Sequence, residues 1–227
     1  APVAWEVMSG EFGQWMLEDI REQTGIRALA FSQNGFRSFL NNERLIQTPQ
    51  DMEGMKIRTM ESPVYMEMVS ALGADPTPIA GSEATMAFQQ GVVDGLESPP
   101  SVHLSGGAAE VAQYMTLNEH VFGLHIVVAN DEWFTSLTPE HQQIVADGAR
   151  VMAAVENVEK TTGDWAAIDA IREMGVEVHI SSPEEKSMFR DAVYQPVREF
   201  ILGQVGEDVL NRIEAAVETA EASVYGQ

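Results

Sequence analysis

The chain has 227 residues, 44% of them hydrophobic and 21% charged, which is ordinary globular material for one large or two small domains. Its 35 acidic and 13 basic residues give a formal net charge of −22, which argues against nucleic acid as a partner, because phosphate backbones are bound by clustered lysine and arginine. The absence of cysteine excludes disulfides, thiolate metal sites and cysteine nucleophiles.

No apolar run approaches the roughly 18 residues that a membrane-spanning helix needs. An acidic chain with only three lysines is compatible with a salty environment, where dissolved ions screen self-repulsion. The net negative charge of the chain repels anions, so an anionic ligand would need arginines placed at its binding site.

The first third of the chain predicts one helix and one short strand. Phe12–Thr24 is amphipathic and is followed by Gly25, a typical helix stop. Ile26–Phe31 predicts a strand, and Asn34-Gly35 is typical of a turn.

Between Thr48 and Pro100, helix-start and helix-stop signals alternate with short apolar runs. Thr48-Pro49 and Ser62-Pro63 are cap-and-proline starts, and Gly73 and Gly91 are stops. Helices are therefore predicted from residue 48, over 62–73 and over 82–91. The strands predicted between them cover 55–59 and 92–97, so we expect an α/β region with a largely parallel sheet.

The last part of the chain is mainly helical by the same signals. A strand is predicted at Phe122–Ala129, and Thr138-Pro139 opens a long helix that reaches about Met174. A further strand at Val176–Ile180 precedes helices that begin at Ser182 and at Glu207. We expect Trp133 and Trp165 to be packing residues rather than ligand platforms; the alternative is a place at the edge of a binding cleft.

Four blocks of sequence carry a family resemblance. They read NGFR at Asn34–Arg37, TPQDMEGMKIR at Thr48–Arg58, LGADPTPI at Leu72–Ile79 and SEATMAFQQGVVDGLESP at Ser82–Pro99. In this order and spacing they resemble the central signature of the solute-binding proteins of TRAP (tripartite ATP-independent periplasmic) transporters.

The resemblance implies an α/β fold of the two-lobed periplasmic-binding-protein type (type II), with a ligand cleft between the lobes and a long hinge-spanning helix. The first lobe would comprise residues 1–34 and 123–162, and the second 35–122 and 163–227. Family members begin well before the equivalent of Ala1, so the chain is expected to lack roughly the first third of such a protein.

The resemblance also implies where a carboxylate would bind. Arg58 ends the strand of the KIR block, at the position where the family's arginine pairs with the ligand carboxylate; a planar guanidinium fork suits that role better than lysine does. Arg37, in the NGFR block, matches a second arginine that often contacts the ligand. The alternative for Arg58 is an ion pair with one of the chain's many acids, and the alternative for Arg37 is a solvated residue in a turn.

Six further residues are candidate ligand contacts of the same cleft. Gly81 stands where many relatives have an aromatic residue, and Ser98 where they often have asparagine. Both departures argue against transferring any one relative's ligand. The complete set of candidates is Arg58, Arg37, Ser98, Gly81, Ser82, Glu61, His120 and Phe122.

The functional expectation is a periplasmic subunit that captures a small organic acid, such as a dicarboxylate or a sugar acid, and delivers it to the membrane subunits of the transporter. No cofactor, metal site or catalytic residue is predicted. Two alternatives stay open: a periplasmic ligand sensor, and a hydrolase using Asp94 and Glu97 as paired carboxylates. The loose cluster of Glu119, His120 and His125 fits no established metal spacing.

Overall fold

The computed structural model describes residues 2–226, which form nine helices and six strands in α/β order. The helices are α1 (Pro2–Ser9), α2 (Glu11–Thr24), α3 (Pro63–Ala71), α4 (Gly81–Gln89), α5 (Pro100–Ser105), α6 (Asp131–Ser136), α7 (Pro139–Glu173), α8 (Pro183–Val205) and α9 (Glu207–Tyr225). The strands are β1 (Ile26–Asn41), β2 (Lys56–Thr59), β3 (Asp75–Pro78), β4 (Gly95–Ser98), β5 (Tyr114–Asn130) and β6 (Glu177–Ile180). Short 3-10 turns cover Pro49–Met52 and Ala108–Val111.

The strands form one mixed sheet in the order β3-β2-β4-β1-β5-β6. β2 runs parallel to β3 and β4, and β5 runs parallel to β6. β1 runs antiparallel to β4, with Phe39 opposite Glu97 and Ser38 opposite Ser98. The sheet is therefore only partly parallel, because β1 enters it from the opposite direction.

The chain divides into two compact units. The first comprises the described residues up to Asn34, Phe122–Lys160 and the described residues from Val205 onward. The second comprises Gly35–Val121 and Thr161–Gln204. The predicted second lobe extended to residue 227, whereas α9 groups with the first unit because it packs on α1 and α2.

The second unit has two apolar cores, one for each face of its strands. One core places Leu40, Leu96 and Met115 against α4 and α7, through residues such as Phe88 and Ile171. The other places Phe39 and Ile57 against α3 and α8, through residues such as Val69 and Phe189. Successive residues of one strand, such as Phe39 and Leu40, enter different cores, because side chains of a pleated strand point alternately to its two faces.

The first unit has smaller cores. Val7, Met8, Phe12 and Phe31 pack with Ala220 of α9. Ala149 and Ala153, on one side of α7, pack on Ala30 of β1.

Gly35 does not end a strand, so the turn predicted at Asn34-Gly35 was wrong. β1 continues through it to Asn41. Gly35 has a φ of +108°, and a Cβ placed on it would lie 2.5 Å from Asp164 Oδ2. The glycine thus allows a close approach of the backbone to a carboxylate, and no reversal of the chain.

The predicted helices from Phe12, Ser62, Thr138, Ser182 and Glu207 are confirmed with small differences at their ends. α1, α5 and α6 were not predicted, since all three are short and α5 begins directly at Pro100. Trp133 and Trp165 are exposed, at 49% and 62%, so the expectation that they pack inside was wrong. Within residues 2–226 no helix is both long and apolar enough to cross a membrane.

Candidate functional site

Arg58 lies near the end of β2 and is buried, but its charge is not matched by an ion pair. Its exposed fraction is 6%, and its Nε and Nη2 donate to the carbonyl oxygen of Ile79, at 2.8 and 2.6 Å. Across the described chain, Pro2 to Gly226, no carboxylate lies within ion-pair distance of this guanidinium. Burial lowers the pKa of Arg58 from its ordinary value, although an arginine stays protonated in any protein.

The start of α4 lies directly beside Arg58. Ile79, whose carbonyl holds the guanidinium, is two residues before the first helical residue, Gly81. A Cβ placed on Gly81 would be 3.9 Å from Arg58 Nη2, so the glycine leaves this side of the guanidinium uncovered. Ser82 follows on the exposed first turn of α4, whose backbone N–H groups carry the positive end of the helix dipole.

Arg37 is buried as well, but it is fully paired. It forms an ion pair with Glu97 through Nε, and its Nη2 donates to Glu97 Oε1 at 2.6 Å and to the carbonyl oxygen of Glu97 at 2.6 Å. A weaker contact of 3.4 Å joins Nη2 to Ser98 Oγ, and the guanidinium lies 5.1 Å from the centre of the Tyr65 ring. The Glu97 bonds raise the pKa of Arg37 although burial opposes its charge.

The side chain of Glu97 is completely buried between the guanidinium of Arg37 and the imidazole of His120. His120 Nε2 lies 3.6 Å from Glu97 Oε2, and its Nδ1 lies 2.8 Å from Asn118 Oδ1. Burial alone would raise the pKa of Glu97, but His120 and Arg37 together hold that pKa below its ordinary value. Burial lowers the pKa of His120, so the ring is held mainly neutral at neutral pH.

Glu61 and Phe122 take no part in the hydrogen bonds named above, although the charge of Glu61 acts on Arg58 and partly offsets the lowering of its pKa by burial. Glu61 is exposed in the segment between β2 and α3. Phe122 belongs to the first unit, where its ring makes an edge-to-face contact with Trp5 at 5.6 Å. The ring of His120 instead stacks on Phe39 in the second unit, at 4.3 Å between ring centres.

Glu97 and Tyr65 contact Arg37 in this cluster and were not among the ligand contacts predicted from the sequence. Glu97 had been considered only as half of a carboxylate pair with Asp94, but Asp94 Oδ2 accepts from the backbone N–H of Lys56 at 2.7 Å. The signal for Glu97 was a lone acid inside an otherwise buried strand, because such an acid needs a cationic partner. No comparable sequence signal marks Tyr65.

A cavity of about 360 Å³ lies in the second unit between α3 and α8. Phe36, Met68 and Phe189 form its apolar wall, and His120, Glu119 and Lys186 line its polar side. Glu119 is paired with Lys186 and has a φ of +53°, unlike any other described residue that is not glycine. The cluster of Glu119, His120 and His125 gives no metal site among residues 2–226.

The chain is similar to solute-binding proteins along most of its length. It is 31% identical over 214 residues to an uncharacterised protein of Haemophilus influenzae, 94% of this chain and 64% of that protein. It is 30% identical over 213 residues to the 2,3-diketo-L-gulonate-binding periplasmic protein of Escherichia coli, with 93% of this chain and 64% of that protein covered. The chain thus spans less than two thirds of the length of these relatives.

A solved structure shows the same fold. The TRAP periplasmic solute-binding protein of Roseobacter denitrificans with bound β-D-glucuronate superposes with a TM-score of 0.88 at 31% identity, over 95% of this chain and 70% of that one. This similarity confirms the predicted α/β binding-protein fold. Residues 1–204 match the family model of the bacterial extracellular solute-binding proteins, family 7. The predicted resemblance is therefore confirmed: the chain belongs to family 7 of the bacterial extracellular solute-binding proteins, with the binding proteins of TRAP transporters.

Proposed function

We propose that the chain is the ligand-binding part of a periplasmic TRAP solute-binding subunit, which captures a small organic acid and delivers it to the membrane subunits of the transporter. The observation that carries the proposal is Arg58, a buried cation without a carboxylate partner among the described residues. A buried charge is tolerated when it is paired, so the missing partner is expected to come from the ligand.

The surroundings of Arg58 favour a carboxylate as that partner. The Nε and Nη2 atoms are already committed to the Ile79 carbonyl, which leaves the Nη1 side and the remaining Nη2 proton for a ligand. The first turn of α4 adds backbone N–H groups and a favourable dipole at the same place. A planar anion can therefore meet donors from a side chain and a helix start.

Arg37 is proposed to have a different role. Because Glu97 neutralises it, Arg37 offers a ligand little net attraction. The ion pair instead fixes the end of β4, where Ser98 stands, so that Ser98 can offer its hydroxyl to the ligand. The remaining proposed contacts of the same ligand have less support than Arg58; they are Gly81, Ser82, Glu61, His120 and Phe122.

Small organic acids are the ligand class that the relatives support. The named or bound ligands of similar proteins include 2,3-diketo-L-gulonate, C4-dicarboxylates, glucuronate and orotic acid. Each carries a carboxyl group, which is the part that Arg58 would hold. The absence of a side chain at Gly81 leaves room beside that carboxyl group, which favours a ring-sized sugar acid over a small dicarboxylate.

We propose binding without chemical conversion. The two carboxylates considered as a catalytic pair are both engaged, Asp94 with a backbone N–H and Glu97 with Arg37. The lowered pKa of Glu97 keeps it ionised at neutral pH, so it is not a general acid, and its bonds to Arg37 make it a weak general base. Neither group is thus poised for proton transfer.

Isothermal titration calorimetry with D-glucuronate, D-galacturonate and orotate tests the proposal. Arg58→Met should weaken binding of the recognised acid at least about 100-fold, because a buried arginine–carboxylate pair loses about 3–5 kcal/mol when one partner is removed. Arg58→Lys should recover only part of this loss, since lysine keeps the charge but lacks the fork.

Arg44→Met is the matched control, since Arg44 lies in the same unit and its exposed side chain makes one long hydrogen bond of 3.4 Å to a backbone carbonyl. Its affinity should equal that of the wild-type chain. Acid binding that survives Arg58→Met, or equal binding of the corresponding uncharged sugar, would contradict the proposal.

A further inference from the structure

Asp164 lies on the part of α7 that belongs to the second unit, and its carboxylate caps a different helix of that unit. Its Oδ1 accepts a hydrogen bond of 3.0 Å from the backbone N–H of Ser101, the second residue of α5. Pro99, at the N-cap of α5, has no side-chain oxygen that could accept this bond. Asp164 therefore supplies from 63 residues away what an N-cap serine or aspartate usually supplies locally.

The other backbone groups at the start of α5 are accounted for without Asp164. Pro100 has no N–H to donate, and the two amides that follow Ser101 both donate to the carbonyl oxygen of Pro99, at 3.0 and 3.1 Å. The Ser101 amide is the donor of this turn that is left over, and the Asp164 carboxylate accepts it. Removing the carboxylate would thus take away the acceptor of one specific backbone donor.

The second oxygen of the carboxylate lies against β1. A Cβ placed on Gly35 would be 2.5 Å from Asp164 Oδ2 and 3.2 Å from Pro99 Cβ, so the Gly35 backbone packs closely on both the carboxylate and the proline ring. Gly35 stands two positions before Arg37 on the same strand. One carboxylate therefore contacts both the strand that carries Arg37 and the helix start that follows Ser98.

Ser98 is connected to the Asp164 contact by a short and stiff segment. β4 ends at Ser98, and the two residues between Ser98 and Ser101 are Pro99 and Pro100. Both prolines are buried, and each pyrrolidine ring fixes its own φ at about −65°. Because few torsion angles remain free, the position of the Ser101 amide determines the position of Ser98.

Ser98 has a second support on the side of the sheet. It stands opposite Ser38 in the ladder of β1 and β4. The buried ring of His103, on α5, lies with its Nε2 3.2 Å from the carbonyl oxygen of Ser38. The ladder and His103 hold the strand side of the segment, whereas its helix side is held by Asp164.

We propose that Asp164 is a positioning residue for ligand binding, which keeps the Ser98 hydroxyl where the bound acid meets it. The inference rests on the proposed function, in which Ser98 offers this hydroxyl to the ligand of Arg58. Asp164 acts through the Ser101 amide and the two prolines, and it does not contact the ligand. Without Asp164 the hydroxyl has to be ordered when the acid binds, and this ordering lowers the affinity.

A cap that only stabilises α5 would behave differently. Such a cap changes the unfolding free energy and leaves the affinity for the acid unchanged. A positioning residue changes the affinity, and it does so only in a chain that still has the Ser98 hydroxyl. A double-mutant cycle between Asp164 and Ser98 distinguishes the two roles, because residues that act as one unit give non-additive losses.

Isothermal titration calorimetry provides the cycle, with D-glucuronate, D-galacturonate and orotate as the acids. The four proteins are the unmodified chain, Asp164→Ala, Ser98→Ala and the double variant. Each single substitution should raise the Kd of the recognised acid about tenfold, the loss expected for one hydrogen bond to a charged group. The double variant should stay within about twofold of Ser98→Ala, since the hydroxyl that Asp164 positions is then already absent.

Two further variants control for the charge and for the helix. Asp164→Asn keeps an oxygen that can accept from the Ser101 amide, and its Kd should stay within about twofold of the unmodified chain. Asp169→Ala removes an aspartate from the same helix and unit that is 77% exposed and paired with Arg172 one turn away. Its Kd should equal that of the unmodified chain.

Two provisions keep the test independent of how well Asp164→Ala folds. Asp164→Glu, which keeps the charge but displaces the carboxylate, should weaken binding in the same way and takes the place of Asp164→Ala in the cycle where the alanine variant does not fold. Hydrogen exchange measured by NMR on the unmodified, ligand-free chain should show the Ser101 amide protected at least about tenfold relative to an unstructured peptide.

Four results would overturn the inference and leave the proposed function intact. They are acid binding that needs Arg58 but is unchanged in Asp164→Ala, unchanged binding in Ser98→Ala, an equal loss from Asp164→Ala with and without the Ser98 hydroxyl, and an unprotected Ser101 amide. Failure of the proposed function is distinguishable from these, because the unmodified chain would then bind none of the acids or Arg58→Met would leave their binding unchanged. That outcome would overturn this inference as well.

Discussion

The buried Arg37–Glu97 pair gives the strongest test of how the site is held together. Both side chains are almost fully buried, at 3% and 0% exposed, and three hydrogen bonds of Arg37 end on Glu97. Arg37→Met keeps much of the volume but leaves the Glu97 carboxylate with only His120 Nε2, 3.6 Å away. We expect this variant to lose about 3–5 kcal/mol of unfolding free energy, the usual cost of a buried charge left without its partner.

The same substitution at Arg58 should behave differently. Arg58→Met loses two hydrogen bonds to one neutral carbonyl, about 1–3 kcal/mol in total, but it also removes the cost of burying a cation. The two effects nearly offset each other, so the ligand-free chain should keep its stability within about 1 kcal/mol. Under the proposed function Arg37 stabilises the fold and Arg58 binds the ligand, and one type of substitution distinguishes the two roles.

Urea unfolding followed by circular dichroism at pH 7 measures both variants against wild type. Arg37→Met/Glu97→Leu should recover most of the loss of Arg37→Met, because removing both charges is far less costly than removing one. In Arg37→Met alone the pKa of Glu97 should rise above its unfolded-state value, so the variant regains stability as the pH falls. Equal losses for Arg37→Met and Arg58→Met, or no recovery in the double variant, would refute the reasoning.

Burial lowers the pKa of His103 from 6.5 to about 4, so unfolding takes up a proton between those pH values and the unfolding free energy should fall by at most roughly 3 kcal/mol as the pH drops. In urea unfolding measured from pH 7 to 4, His103→Gln should make this fall in unfolding free energy smaller. An unchanged pH dependence in the variant would contradict the prediction. Gly35→Ala should lower the thermal midpoint strongly because its Cβ would meet Asp164, whereas Gly203→Ala, in open space on α8, should raise it slightly. Asp51→Ala should cost about 1 kcal/mol by removing the capping box, and a loss near zero would exclude that role.

The helix boundaries show how much local sequence can predict. The cap-and-proline start predicted at Thr48-Pro49 is present as a short 3-10 turn in which Thr48 and Asp51 form a capping box, and Gly25 takes the left-handed conformation expected of a helix stop. Such signals act over a few residues, because the backbone groups at a helix end are satisfied by their nearest neighbours. These local signals therefore predict helix ends without knowledge of the tertiary contacts.

Asn34-Gly35 shows where the same reasoning fails. The pair has the composition of a turn, but β1 passes through it, and the glycine is needed because the carboxylate of Asp164 lies where a Cβ would stand. That neighbour is 129 residues away in sequence, as the numbers 35 and 164 give. No window of local sequence contains it.

The sequence by itself determined the α/β class, the helix ends, the family signature and the position of the two arginines. Only the tertiary structure decided how those arginines differ. Glu97, 60 residues further along the chain, forms an ion pair with Arg37, whereas the guanidinium of Arg58 donates its hydrogen bonds to the Ile79 carbonyl and forms no ion pair within the described residues. Pairing and exposure depend on contacts between distant segments, and these exist only once the chain has folded.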